Sequence, residues 1–113
     1  MTSAAFALQI VASEDASVPA EVTVTGEVDV TNIGEFTQAV SDVPGPRPVI
    51  LHLSPIKYLD SAAFAALDRL LEDDTIVLVL APGSFMYRVA ELMCLPIFHD
   101  AETARRALRE NAS

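Results

Sequence analysis

The stretch VILHLSPIKYLDSAAFAALDRLL, residues 49–71, decides how this chain folds. Val49, Ile50, Leu51, His52 and Leu53 form a short, largely apolar run that reads as a buried strand. A tight Ser54-Pro55 turn leads into Ile56-Lys57-Tyr58-Leu59, and Asp60-Ser61 stands where a helix should start. Phe64, Leu67 and Leu71 then follow at i, i+3 and i+7, one face of a helix. Asp and Ser are strong N-cap residues because their side-chain oxygens accept the orphan N–H groups of the first turn. A carboxylate and a hydroxyl are therefore expected side by side at a helix N-terminus, beyond the carboxyl end of a strand. In open α/β sheets that is where binding sites gather.

Outward from this unit, strand and helix alternate. Toward the N-terminus, Phe6, Leu8 and Ile10 alternate with smaller or polar residues and predict a first strand. The polar segment Glu14-Asp15-Ala16-Ser17 reads as a turn, and Pro19 keeps a central strand from starting earlier. Residues 22–28, Val-Thr-Val-Thr-Gly-Glu-Val, predict a β-branched second strand, and the short connection predicts an antiparallel hairpin. Asn32 is the expected N-cap of a helix carrying Ile33, Phe36, Val40 and Val43, stopped by Pro44-Gly45-Pro46. Past residue 71, Glu72-Asp73-Asp74 turns the chain and residues 75–80 form another apolar strand. Ala81-Pro82-Gly83 breaks it and Ser84 caps a third helix. Phe85, Val89 and Leu92 are its expected inner stripe, and it ends near Cys94. Leu95, Ile97 and Phe98 give a brief last strand, Asp100 a cap, and Ala104, Ala107 and Leu108 a final helix. The order predicts one α/β domain over residues 1–113. Its sheet is mixed but mostly parallel, of about five strands with an N-terminal antiparallel hairpin, and it carries about four helices.

At 113 residues with 51% hydrophobic and 20% charged content, the chain can bury roughly two-thirds of its unfolded surface. Its net charge of −9 is uneven. Residues 1–74 hold twelve acids against Arg47, Lys57 and Arg69, whereas residues 75–113 hold four acids and four arginines. An acidic surface of this kind disfavours nucleic acid and anionic membrane, which are bound through basic patches, and points to a protein partner with a basic face. Cys94 is the single cysteine, so no internal disulfide forms and a reducing compartment is expected. The start MTSAAFALQIVASEDAS resembles a leader in its short apolar run but has no Lys or Arg before it. A strand suits its alternation better. No stretch approaches a membrane span, and a cytoplasmic location is expected.

Several chemistries lack their parts. Phosphoryl transfer to Asp60, as in response regulators, wants a paired-acid Mg²⁺ site after the first strand and a lysine after the last, yet Lys57 is the only lysine. A serine hydrolase needs a base. His52 sits in a strand, His99 just before a cap, and no Gly-x-Ser-x-Gly elbow occurs, so both histidines read as structural. Neither a phosphate-binding Gly-rich loop nor zinc-ligand spacing is present, so no metal or cofactor is expected. Met86 and Met93 read as core or interface filler. On the residues alone, Ser61 is a plain N-cap worth about 1 kcal/mol over alanine. Asp29 reads equally well as a solvated turn residue.

The segment around Leu59-Asp60-Ser61, with its strand, short loop and Ala-rich helix, resembles the STAS domain of bacterial anti-sigma factor antagonists. Gly26-Glu27-Val28-Asp29 matches the Gly-Glu-hydrophobic-Asp segment ending that family's second strand. Leu92-Met93-Cys94-Leu95 matches its Leu-x-Gly-Leu segment before the last strand. Ala63 and Cys94 stand where the family usually has glycine, and the second substitution asks a non-glycine residue to end a helix. The resemblance implies a STAS (SpoIIAA-like) fold with no enzymatic activity of its own. It implies that the unmodified domain binds an anti-sigma factor with serine kinase activity and frees a sigma factor. Phosphorylation of Ser61 then ends the complex, and a phosphatase resets it. The implied contact surface comprises Glu27, Asp29, Thr31, Asn32, Tyr58, Asp60, Ser61 and Ala62, with Phe64 underneath. A phosphate adds about −1.5 to −2 charges. A carboxylate ~5 Å away repels each of those charges by roughly 3 kcal/mol at an effective dielectric of 20. The helix N-terminus offsets roughly 0.3–1 kcal/mol of that, so modification is expected to alter binding more than folding. Two alternatives stand beside this: a STAS adaptor that docks on another protein, such as a transporter ATPase, without phosphorylation, and a small enzyme with Ser61 as nucleophile. Six arginines against one lysine, with plentiful alanine, suggest a GC-rich bacterial genome.

Overall fold

The N-terminal hairpin forms from β1 (Phe6–Val11) and β2 (Glu21–Val28), paired antiparallel from Phe6↔Gly26 to Val11↔Glu21. The computed structural model describes residues 4–111, so the first three residues of the leader-like stretch lie outside the described residues. Period-2 alternation puts Val22, Val24 and Val28 in the core. In β1, Phe6 and Leu8 pack against that core, and the Phe6 ring meets Phe36 edge-on with centroids 5.5 Å apart. Ile10, expected on the same face, is 45% exposed.

The chain continues through α1 (Ile33–Ser41), β3 (Val49–His52), β4 (Ile56–Leu59), α2 (Ser61–Glu72), β5 (Ile76–Val79), α3 (Tyr87–Leu92), β6 (Ile97–Phe98) and α4 (Ala101–Asn111). The sheet runs β1-β2-β3-β5-β6, parallel after the first pair, and β4 pairs with β2 off this path. The sheet thus has six strands rather than about five. Residues 56–59 are the extra one, because β2 outruns β3: Glu21, Val22 and Thr23 pair with β3, while Gly26, Glu27 and Val28 are left for β4. Between Gly26↔Ile56 and Glu27↔Tyr58 the register slips by one residue, leaving Lys57 as the extra residue of a bulge. That slip explains why Lys57 and Tyr58, adjacent in sequence, both face water while Ile56 and Leu59 are buried.

Helices cover both faces. Phe36 and Val40 of α1, Ala63, Phe64, Leu67 and Leu70 of α2, and Met86 and Ala90 around α3 share one core with the inward residues of the sheet. On the other face Ala104 of α4 packs with Ile50 and Val79. Each fully buried Val, Leu or Phe contributes about 1.5–3 kcal/mol. Leu70 is buried and Leu71 only partly so, a shift of one residue from the expected stripe. Glu21 of β2 accepts from Arg105 Nε and Nη2 and lies 3.0 Å from His52 Nε2, tying α4 to β2 and β3. The Arg105 hydrogen bonds hold the Glu21 carboxyl below the ordinary carboxylate range against the opposing effect of burial.

The third helix inverts its expected stripe. Phe85 and Leu92 are 75% and 74% exposed, whereas Met86 and Ala90 point inward and Val89 is half-buried. The cause lies in the turn before it. Ser84 does not cap; its hydroxyl donates to the Ala81 carbonyl at 2.6 Å, and the helix begins only at Tyr87. The unbranched Met86 enters the core instead.

Two helices end in the same way, on a non-glycine residue in the left-handed region. Asp74 (φ 56°) donates its N–H to Leu71 and Thr75 to Leu70; Cys94 (φ 57°) donates to Glu91 and Leu95 to Ala90. These are Schellman closures with Asp and Cys at the position glycine favours. Cys94→Gly should therefore stabilise the fold by about 1 kcal/mol, after the added unfolded-state entropy of glycine is set against the relieved strain. Thermal unfolding should rise by roughly 4 °C, and Cys94→Ala, which keeps the strained backbone without the thiol, should give no such gain.

Candidate functional site

The parallel pairing of β2 with β4 brings the ends of both strands, and the loops that follow them, to one edge of the sheet. Asp60, not Ser61, is the N-cap of α2: its backbone is extended and its Oδ1 accepts from Ala63 N at 2.9 Å. The other oxygen does something the sequence does not reveal. Oδ2 accepts from Val30 N at 3.0 Å, and Asp60 N donates to the Val28 carbonyl at 3.3 Å. One carboxylate thus starts the helix and clasps the loop thirty residues upstream.

That upstream loop is braced from within. Asp29 accepts from the backbone N–H of Thr31 at 2.8 Å and from its hydroxyl. The Thr31 hydroxyl foremost, then its N–H, holds the Asp29 carboxyl below the ordinary range. Asn32 sits at the cap position of α1 but makes no side-chain cap bond. Its amide turns back instead, with Oδ1 accepting from Asp29 N at 2.9 Å and Nδ2 donating to the Glu27 carbonyl at 3.0 Å. At 6% exposure it is the buried polar side chain among the described residues, and both ends are satisfied. A short polar residue competing with the backbone for local bonds is what makes it a loop brace.

Ser61 is the first helical residue and is exposed. Of the other expected residues, Glu27, Thr31 and Tyr58 are exposed and Asp29, Asp60 and Ala62 half-buried; Glu27 is paired with Tyr58 across the strands, and Asp60 holds Val30 between Asp29 and Thr31. Phe64, expected underneath, is 5% exposed and packs in the core, whereas Asn32, expected on the surface, is buried and braces it from below. Val30 is the residue that sequence reasoning missed: it is 68% exposed and its N–H bonds Asp60. The available signal was an apolar residue flanked by Asp29 and Thr31, outside any periodic stripe. Beside Ala62, a shallow hollow of about 360 Å³ runs between α1 and α2, floored by Gly34, Ala65 and Ala66. Among the described residues no cluster of three His, Cys, Asp or Glu side chains could hold a metal ion, and no helix is long and apolar enough to cross a membrane. His52, occupied by Glu21, belongs to the sheet and not to this surface.

Asp60→Ala should remove both clasps. A cap is worth about 1 kcal/mol, and the freed Val30 N–H adds a further loss of similar size, about 1 kcal/mol. Asp60→Asn, which keeps an acceptor for one of the two donors, should recover roughly half of that loss. Urea unfolding measures the energies, and amide exchange at Val30 and Ala63 reports the two clasps separately.

The mixed α/β sheet thus carries an exposed hydroxyl between two loops that Asp60 ties together. The chain belongs to the STAS domain family, whose model matches residues 9–89. In fold it is similar to an anti-sigma factor antagonist from Mycobacterium paratuberculosis, with a TM-score of 0.66 and 18% identity over 93% of this chain and 95% of that one. A protein of the DUF3478 family with a SpoIIAA-like fold, from Shewanella loihica, aligns over 92% of this chain and 94% of its own at 12% identity and a TM-score of 0.49. No curated protein matches the chain in sequence.

Proposed function

We propose that this chain is an anti-sigma factor antagonist operated by phosphorylation of Ser61. The reading is supported by membership of the STAS family, by the similarity in fold to an antagonist of this kind, and above all by the exposed Ser61 at the first turn of α2 beside the bidentate Asp60. The unmodified loops, Glu27 to Asn32 and Lys57 to Ala62, dock on an anti-sigma factor that is also a serine kinase, and a sigma factor is released. In the docked complex Ser61 Oγ attacks the γ-phosphorus of ATP, the bond to the β-phosphate oxygen breaks, and the hydroxyl proton passes to a base of the kinase. The phosphoserine carries about two negative charges into a surface that already holds Glu27, Asp29 and Asp60, and the complex separates. A phosphatase returns the hydroxyl by hydrolysis, releasing inorganic phosphate. The chain contributes the acceptor and the docking surface, not the catalytic groups, and acts in the cytoplasm where ATP and the kinase meet it.

Incubation with cognate anti-sigma kinases and ATP, followed by mapping of the phosphosite, tests the reading. Modification is expected at Ser61. Modification at another residue, or none with any cognate kinase, would count against it.

A further inference from the structure

β1 lies at the edge of the sheet, with β2 as its one neighbour among the described residues. Along a strand, the backbone N–H and C=O groups of successive residues point alternately to either side. The Ala5 carbonyl accepts from Glu27 N at 2.9 Å, so Ala5, Ala7, Gln9 and Val11 direct their backbone groups to β2. Phe6, Leu8 and Ile10 therefore turn theirs to the open side. Natural sheets guard such edges with proline, charge, bulges or very short strands. Here FALQIV pairs with β2 in an unbroken register, and residues 4–13 hold neither a proline nor a charged side chain. The far edge is blunted, because β6 is two residues long and follows Pro96. We propose that a second copy of this chain pairs its β1 with this one, antiparallel about a twofold axis at Leu8, joining the two sheets.

The strand is its own complement. With Leu8 opposite Leu8 of the other copy, Phe6 falls opposite Ile10 and Ile10 opposite Phe6, and each pair exchanges two backbone hydrogen bonds. Any other register that matches outward groups leaves Phe6 or Ile10 facing a residue outside β1. The same register accounts for Ile10. Its side chain shares the core face with Phe6 and Leu8 yet is 45% exposed. The Phe6 ring of the other copy, directly across the seam, covers it. A strand of another protein would have to bring apolar residues at both places, whereas a second copy has them. Charge permits the approach despite a net −9 on each copy. Glu21 pairs with Val11, and Ala5 bonds Glu27, so Glu21 faces Glu27 of the other copy only across two intervening strands. Three strand spacings make about 14 Å, more than the screening length of roughly 8 Å at physiological ionic strength. With both β1 edges joined and β6 blunted, growth stops at two copies. β4 and the Ser61 loop lie on the other side of β2, so the dimer stands apart from the switch.

Sedimentation equilibrium of the full chain, from roughly 10 µM to 1 mM, should show the mass rising from 12.1 kDa toward twice that value. Amide exchange over the same range locates the contact. The N–H groups of Phe6, Leu8 and Ile10 should gain protection as the concentration rises, while those of Ala7, Gln9 and Val11, already bonded to β2, stay protected throughout. Ile10→Pro removes an N–H that β2 does not use and should raise Kd at least about ten-fold. Ile10→Lys, which puts a charge on the seam and keeps the N–H, should act likewise, and circular dichroism checks that both variants keep their fold. Leu92→Glu, on the exposed side of α3, should leave Kd within about three-fold of the parent. A mass fixed at the monomer value throughout overturns the proposal. So does association indifferent to Ile10→Lys, or concentration-dependent protection that appears elsewhere and not at Phe6, Leu8 and Ile10.

Discussion

Ser61→Asp should weaken docking on the proposed anti-sigma partner by roughly 100-fold, about 2.7 kcal/mol in affinity, while Ser61→Ala should bind within about three-fold of the parent. The asymmetry follows from the setting. Removing an exposed hydroxyl costs one group that water replaces. Adding a fixed charge next to Asp60, in a rim that also holds Glu27 and Asp29, crowds like charges at a surface that the partner strips of water, and desolvating that added charge costs several kcal/mol. Folding should hardly change in either variant, because an anion at the start of α2 interacts favourably with the helix N-terminus. Isothermal titration against the partner, with urea unfolding as control, separates the two effects. A Ser61→Asp protein that binds as tightly as the parent would sink the switch and favour an adaptor that docks without modification.

Gly26→Ala should do the reverse, damaging the fold while leaving the chemistry of the surface untouched. Gly26 has φ +92° at the start of the bulge, and a Cβ there would lie inside contact distance of the Ala5 carbonyl oxygen and 3.1 Å from Phe6 Cα. The Ala5 carbonyl cannot yield freely, since it accepts from Glu27 N at 2.9 Å. Backbone strain of about 1–2 kcal/mol and displacement of β1 together should exceed about 3 kcal/mol, a large share of a domain's stability. The midpoint of thermal unfolding should fall by roughly 10–20 °C. Gly34, in α1 with nothing near its Cβ position, is the control. Gly34→Ala should stabilise by about 0.5–1 kcal/mol.

The alternation of strand and helix was legible because each segment advertises its own period: two for Val22, Val24 and Val28, three to four for Phe36 and Val40. The Asp60-Ser61 turn was legible for a local reason, the appetite of a helix start for an acceptor. What escaped depends on partners distant in the chain. Ile56 and Leu59 form a strand because β2 is longer than β3, which no reading of residues 56–59 alone reveals. The stripe of Phe85, Val89 and Leu92 satisfies helical spacing as well as Met86 and Ala90 do, and a two-residue delay in starting α3 decided between them. Asp60 and Asn32 were both recognised as cap formers. The division of labour between them, one capping its helix and the other turning back to hold a loop, depends on where Val30 and Glu27 lie in space.

The amide of Asn32 carries one more implication. Because it and Asp60 have already stilled the residues between Glu27 and Asn32, no loss of chain freedom remains to be met there when a partner arrives. Recognition at this edge should be swift and close to rigid-body, with a heat-capacity change that tracks the area covered and carries no added contribution from a segment folding upon contact.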